Sequence, residues 1–260
     1  MLKYAFPVLI VGLSGMVNEV FDKILLKYLV PEDAGPMAQL GIYGANYKLG
    51  ILMTLFIQMF RYAAEPFFFA EAEKKNAPEL FAKVMNYFVI AGLLIFLIVS
   101  LYIDLFKYFI GEKYRVGVVI VPIILMANLF YGIYFNLSIW YKLTDRTADG
   151  AKISIGGAII TIVLNIILIP ILGYIGAAWA TFFCFFAMML ASYIWGQKVY
   201  PIPYQLKRLL LYFLIAIVIF FSVRYVAEYH RIISYFASTI LLALFAFFAF
   251  NREKTNTIEN

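Results

Sequence analysis

Gln58, Arg61 and Glu65 interrupt an otherwise apolar run. On a helix advancing about 100° per residue they fall within about 60° of one another, which makes one polar stripe. Arg61 and Glu65 are also spaced i,i+4, the separation at which a helical ion pair forms. Upstream, Asn18, Glu19, Asp22 and Lys23 cluster within about 140° of arc, with Glu19 spaced to pair with Lys23. An ionisable group among lipid tails costs at least about 2.5–3.5 kcal/mol, so such residues normally face a protein interior or a watery cavity. The chemistry these types suggest is binding and passage of charged groups. Arg61, Gln58, Glu65 and Lys23 are the residues expected to line a hydrophilic cavity, with Arg61 meeting an anionic headgroup. Glu19 and Asp22, with Asn18 beside them, are the expected site of a coupling cation or proton. The competing reading is that Arg61–Glu65 and Glu19–Lys23 are local ion pairs that neutralise each other and fix helix packing; both readings stand at this point.

What must position these residues is a set of membrane-crossing helices. Hydrophobic residues make up 65% of the 260 and charged residues only 14%, about half the charged share of a soluble chain. The mean hydropathy is +0.90. At roughly 20 apolar residues per span, the chain has room for eight or nine crossings and little else. Uncharged runs between charged residues give spans at about 5–28, 47–69, 84–103 and 116–141. No charged residue occurs between Ile153 and Gln197, which is too long for one span. Pro170, Gly173 and Gly176 mark a tight hairpin that divides it. Two more spans, at about 209–223 and 232–250, bring the number to about eight. The expected fold is an all-α polytopic membrane bundle, with the stretches 30–47 and 71–81 as its longest connections.

Other chemistry is not signalled. His230 is the single histidine and has no acidic or cysteine partner at ligand spacing. Cys184 sits alone in an apolar run and reads as a small hydrophobe. No nucleotide-binding glycine loop, nucleophile elbow or metal motif is present, and no sizeable loop exists to carry a catalytic acid or base. The chain is therefore expected to be no enzyme and to use no cofactor or metal. The net charge of +6 is spread over many short loops, which argues for helix orientation and against nucleic acid. Lys and Arg are more numerous on the side holding both termini, among them Lys74, Lys75, Lys83, Lys142, Lys152, Lys207 and Arg208, so both termini are expected to be cytoplasmic. No A-x-A-like cleavage site follows the first apolar stretch, so the first span is expected to be retained. Asn128, Asn136 and Asn165 are read as interhelical hydrogen-bonding residues that serve packing.

The run from Asn165 through Leu168, Ile169, Pro170, Gly173, Gly176, Ala177, Ala178 and Ala180 to Thr181 resembles the N-x-x-LIP-x-x-G-x-x-GAA-x-AT hairpin of polysaccharide and O-antigen flippases. These are the oligosaccharidyl-lipid exporters of a superfamily that also contains multidrug extruders. Phe6-Pro7, the segment Gly44–Lys48 and the segment Phe60–Phe67 are similar to the start of that family's second lobe. The resemblance covers most of residues 1–200 and only that six-helix C-terminal lobe. It implies an additional helix pair at 201–250 and a polar cytoplasmic tail at 251–260, with the first lobe supplied elsewhere in a longer protein or by a second chain. It further implies translocation of undecaprenyl-diphosphate-linked oligosaccharide across a bacterial cytoplasmic membrane by alternating access, with Arg61 at the diphosphate. The alternatives are half of a drug or cation antiporter, and a partner subunit that does not itself transport. A lone lobe has nothing to rock against, so this chain by itself is not expected to transport.

Overall fold

The computed structural model describes Leu9 and residues 21–258, apart from the side chains of 231 and 255–258. Asn18 and Glu19 lie outside the described residues. The protein is an all-α polytopic membrane bundle. Helices α1 (21–29), α2 (Pro36–Tyr47), α3 (Ile51–Glu71), α4 (Ala77–Leu101) and α5 (Val121–Leu137) are followed by α6 (Thr147–Leu172), α7 (Tyr174–Val199), α8 (Leu206–Tyr229) and α9 (Arg231–Ile258). Among the described residues there is no strand, and seven helical segments are long and apolar enough to cross a membrane. In such a medium, helices are the natural solution because each satisfies its backbone groups internally.

The spans at α4 to α9 follow the expected hydrophobic runs, and the segment 30–47 does not. Instead of a connection, 36–47 is helix α2, continuous with α3 through a single 3-10 turn at Lys48–Gly50. Gly35, Gly41, Gly44 and Gly50 dilute its hydropathy. Two of them serve close packing: a Cβ at Gly41 would meet the Tyr114 ring at 2.9 Å, and one at Gly50 would meet Ile124 at 2.8 Å. Asn46, fully buried, donates to the Tyr114 carbonyl at 2.8 Å and so ties α2 to the turns that precede α5.

The core lies where α4, α5 and α7 meet, around Phe88, Leu93, Leu125, Leu129, Tyr134 and Phe185. Trp140 is buried beside it and donates its indole N–H to Ser192 at 3.2 Å, as a buried Trp generally must. Outward-facing Ile159, Ile167, Leu214, Phe221 and Phe247 are largely uncovered, as expected of residues whose solvent is lipid.

Helices α6 and α7 form the hairpin foreseen at 170–176. Pro170 lies in the last turn of α6, where its missing N–H leaves the carbonyl four residues back without its helical bond and so favours termination, and Gly173 makes the reversal at φ +59°, ψ −135°. The N–H of Tyr174 is capped by the Gln39 carboxamide oxygen at 3.0 Å, so the hairpin tip is fastened to α2. Gly176 lets α7 cross against the backbone of α6, since a Cβ there would lie 2.3 Å from the Leu168 carbonyl oxygen.

The expected tail at 251–260 is different from a loose polar end. Helix α9 continues to Ile258, and Glu253 is only 3% exposed. Its carboxylate accepts from the Tyr212 hydroxyl at 2.8 Å and from the Asn86 amide at 3.1 Å, which draws the end of α9 against α4 and α8.

Gly173→Ala is expected to lower the melting temperature in detergent, because the side chain would lie 2.0 Å from Gln39 Oε1 in a backbone conformation that costs on the order of 1–3 kcal/mol. Gly156→Ala, where an added methyl meets nothing within 4 Å, serves as the control and is expected to be neutral or slightly stabilising. Equal melting temperatures for the two variants would contradict the assigned turn geometry.

Candidate functional site

Helix α3 supplies the central element. Its apolar residues Met53, Ile57, Ala64 and Phe68 are buried against α4 and α5, which leaves Thr54, Gln58 and Arg61 on an adjoining face. That face borders a hollow of about 180 Å³ lined also by Lys23, Tyr47, Asn128, Tyr131 and Phe135. Three of the four residues expected to share a cavity, Lys23, Gln58 and Arg61, therefore do so. Among its lining residues the hollow has two cations and no carboxylate.

Aromatic faces hold both cations. Lys23 Nζ stands 4.6 Å from the centre of the Tyr47 ring, and the Arg61 guanidinium 4.7 Å from that of Phe135. Each contact is worth roughly 0.5–2 kcal/mol and leaves N–H groups available to a ligand. Asn128 was read as a packing residue, but its side chain, 4% exposed, has an Nδ2 without a hydrogen-bond partner among the described residues. A buried amide donor left unmade costs about 1–3 kcal/mol, which an acceptor in the hollow would offset. The signal in the sequence was an Asn in a long apolar run that also holds Asn136, and it does not separate a helix-packing amide from a ligand-facing one.

Glu65, the fourth expected cavity residue, turns the other way, into a small crevice with Phe68, Ser138 and Lys142. The i,i+4 pair with Arg61 exists but is loose, at 3.8 Å from Nε to Oε2. Glu65 accepts instead from Lys142 Nζ at 2.9 Å. Because Lys142 takes the close contact, the Arg61 guanidinium is not locked onto Glu65 and remains about half exposed. Pro66 follows directly and has no N–H to close the helical bond, a further departure from regular helix at this point of α3.

Asp22 does not face this hollow, contrary to the expectation that the charged residues of the first two spans line one cavity. It is adjacent to Lys23 in sequence, hence about 100° away on the helix, and points to the other side. There it is fully buried, and its Oδ2 accepts from the Tyr43 hydroxyl at 2.5 Å and the Thr181 hydroxyl at 2.9 Å. Oδ1 has no partner among the described residues. A line of polar groups continues along the hairpin: Cys184, one turn beyond Thr181, donates its thiol to the Gly157 carbonyl at 3.2 Å, and Asn165 donates to the Thr161 carbonyl at 2.8 Å while its own Oδ1 has no partner among the described residues. Asn165 thus belongs to a polar seam as well as to the hairpin. The Glu19–Lys23 pair involves a residue outside those described.

No protein-family model matches the chain, and comparison with curated proteins and with solved structures yields no match either. The site is therefore read from its own geometry.

Tyr43→Phe and Thr181→Val each remove one donor from the same carboxylate oxygen, and each is expected to destabilise the protein by about 1–3 kcal/mol in thermal unfolding followed by tryptophan fluorescence. Because the two donors share one acceptor, the double variant is expected to deviate from the sum by at least about 0.5 kcal/mol. Strict additivity would argue against a shared acceptor.

Proposed function

We propose that the chain is one lobe of a flippase that carries undecaprenyl-diphosphate-linked oligosaccharide, such as an O-antigen precursor, across the cytoplasmic membrane of a bacterium. The observation that carries this reading is the hollow in which Lys23, Arg61 and the Asn128 Nδ2 donor, unpartnered among the described residues, converge with no carboxylate among the described lining residues. Two cations and an amide donor suit a diphosphate, whose oxygens accept from guanidinium and ammonium alike. Gln58 and Thr54 add neutral hydrogen-bonding groups beside them, suited to the hydroxyls of a sugar.

In this reading the Arg61 guanidinium and Lys23 ammonium hold the diphosphate, and Phe135 and Tyr47 keep those side chains extended toward it. Glu65 and Lys142 orient Arg61 from behind and are positioning residues. Asp22, with the free oxygen of Asn165 nearby along the seam, is the site of the coupling cation or proton. The unpaired acceptors there favour a positive charge, and its arrival near Tyr43 and Thr181 would alter how α1, α2 and α7 pack. The lobe rocks against a second body, so that the hollow opens to each side in turn. The uncovered α3 residues Ile51, Leu55, Met59 and Tyr62, which flank the hollow, are where that second body, a further lobe or another chain, would make the missing wall. Both termini then lie in the cytoplasm.

The test is retention of undecaprenyl diphosphate by the purified chain, measured by native mass spectrometry from detergent. Arg61→Ala and Lys23→Ala are each expected to weaken retention about tenfold, corresponding to about 1.4 kcal/mol. Unchanged retention in both variants would remove the diphosphate assignment. In cells expressing the full-length parent, Arg61→Ala is expected to deplete surface glycan, whereas in a cation antiporter Asp22→Asn alone would stop transport.

A further inference from the structure

A second polar hollow lies at the other edge of the bundle, where the start of α4, the start of α8 and the end of α9 come together. It has a volume of about 460 Å³ and is lined by Glu79, Lys83, Asn86, Gln205, Arg208 and Glu253. Its floor is built: Glu253 accepts from Tyr212 and Asn86, with Arg208 Nη1 4.0 Å away. Its rim is not. Glu79 and Lys83 are one turn apart on α4, at the spacing that normally joins Glu to Lys. Neither makes a hydrogen bond or ion pair among the described residues, although Lys83 is partly buried. The Asn86 side chain is 2% exposed, and its Oδ1 has no partner among the described residues.

Beside the floor carboxylate of Glu253, which already faces Arg208, the hollow presents two cations, Lys83 and Arg208, and, as further acceptors, the Glu79 carboxylate and the Asn86 amide oxygen. A simple anion would be repelled by Glu79 and by the Asn86 oxygen, and a simple cation would be repelled by Lys83 and Arg208. A ligand carrying both signs a few ångströms apart satisfies all four. The setting selects among such ligands, because these are helix ends at the edge of the membrane and the same three helices leave Tyr87, Leu210, Leu214, Phe247 and Phe250 uncovered alongside. That apolar surface is where acyl chains would lie.

We propose that this hollow binds the phosphoethanolamine headgroup of a membrane lipid, with the phosphate at Lys83 and Arg208 and the ammonium at Glu79 and Asn86 Oδ1. The site is separate from the Arg61 hollow and stands whether or not the transport reading holds. Its role is to seat a structural lipid at the junction of α4, α8 and α9.

The experiment is native mass spectrometry of the full chain in detergent micelles doped with dioleoylphosphatidylethanolamine or dioleoylphosphatidylglycerol, with water-soluble glycerophosphoethanolamine added as competitor. The ethanolamine lipid is expected to be retained about tenfold better than the glycerol lipid. Lys83→Ala and Glu79→Gln, both at the rim and away from the buried floor, are each expected to reduce that retention about fivefold without changing the circular dichroism. Displacement by the soluble ester assigns recognition to the headgroup whatever carries it. Retention of the lipid without displacement assigns it to a bilayer lipid held by headgroup and chains together. Equal retention of the two lipids, or ethanolamine-lipid retention untouched by both variants, overturns the proposal.

Discussion

Hydrocarbon offers no hydrogen bond to a charged or polar group, so every such group within the spans must be satisfied by protein or by a wet hollow. This constraint organises the bundle more than any single packing contact does, and the chain meets it in three ways. Asp22 is met by two hydroxyls from α2 and α7, helices far apart in sequence. Glu65 is met by Lys142, with Arg61 at longer range. Arg61 and Lys23 have aromatic faces and an open hollow. The second arrangement closes on itself, the first leaves Asp22 Oδ1 without a partner among the described residues, and the third leaves donors available, which is why the functional reading rests on it.

The arrangement around Arg61 depends on a competition. A guanidinium beside a glutamate on the same helix would ordinarily close into a pair worth a few tenths of a kcal/mol. Here Lys142, arriving from the segment just after α5, occupies the short contact with Glu65. Arg61 leans on Phe135 instead, and Phe135 borders both the crevice and the hollow. Removing positive charge at 142 would therefore act on Arg61 through Glu65 without touching the hollow itself.

Sequence periodicity and hydropathy were enough to read the helical spans from α4 onward and the hairpin at Gly173, because long uncharged runs and a Pro/Gly break are local signals. Helix α2 was not legible, since its glycines look like loop residues until the neighbours they accommodate, Tyr114 and Ile124, are known. The polar stripe of α3 was legible as a stripe. Its division, with Gln58 on the hollow, Glu65 in the crevice and Arg61 bordering both, depends on Lys142, which lies 77 residues from Glu65. The same holds for Asp22, whose partner Thr181 is 159 residues distant. Adjacency to Lys23 suggested a common cavity, whereas one residue of helical rotation separates the two. Asn128 was visible as a polar residue among apolar ones, but only its place on the wall of the hollow distinguishes it from Asn136, whose amide atoms also have no partner among the described residues.

The buried carboxylate near the end of α9 answers a question that lipid cannot. A helix as apolar as residues 232–250 gains almost nothing by preferring one rotation or immersion over another when oil surrounds it. Glu253 removes that indifference, because only one azimuth and one height bring its two oxygens to the Tyr212 hydroxyl and the Asn86 amide. It acts as a depth gauge at the water-facing end. Together with the Thr239 hydroxyl, 2.7 Å from that of Tyr102, this acid sets the last helix in register, and its lipid-facing positions are free to vary in sequence so long as they stay greasy.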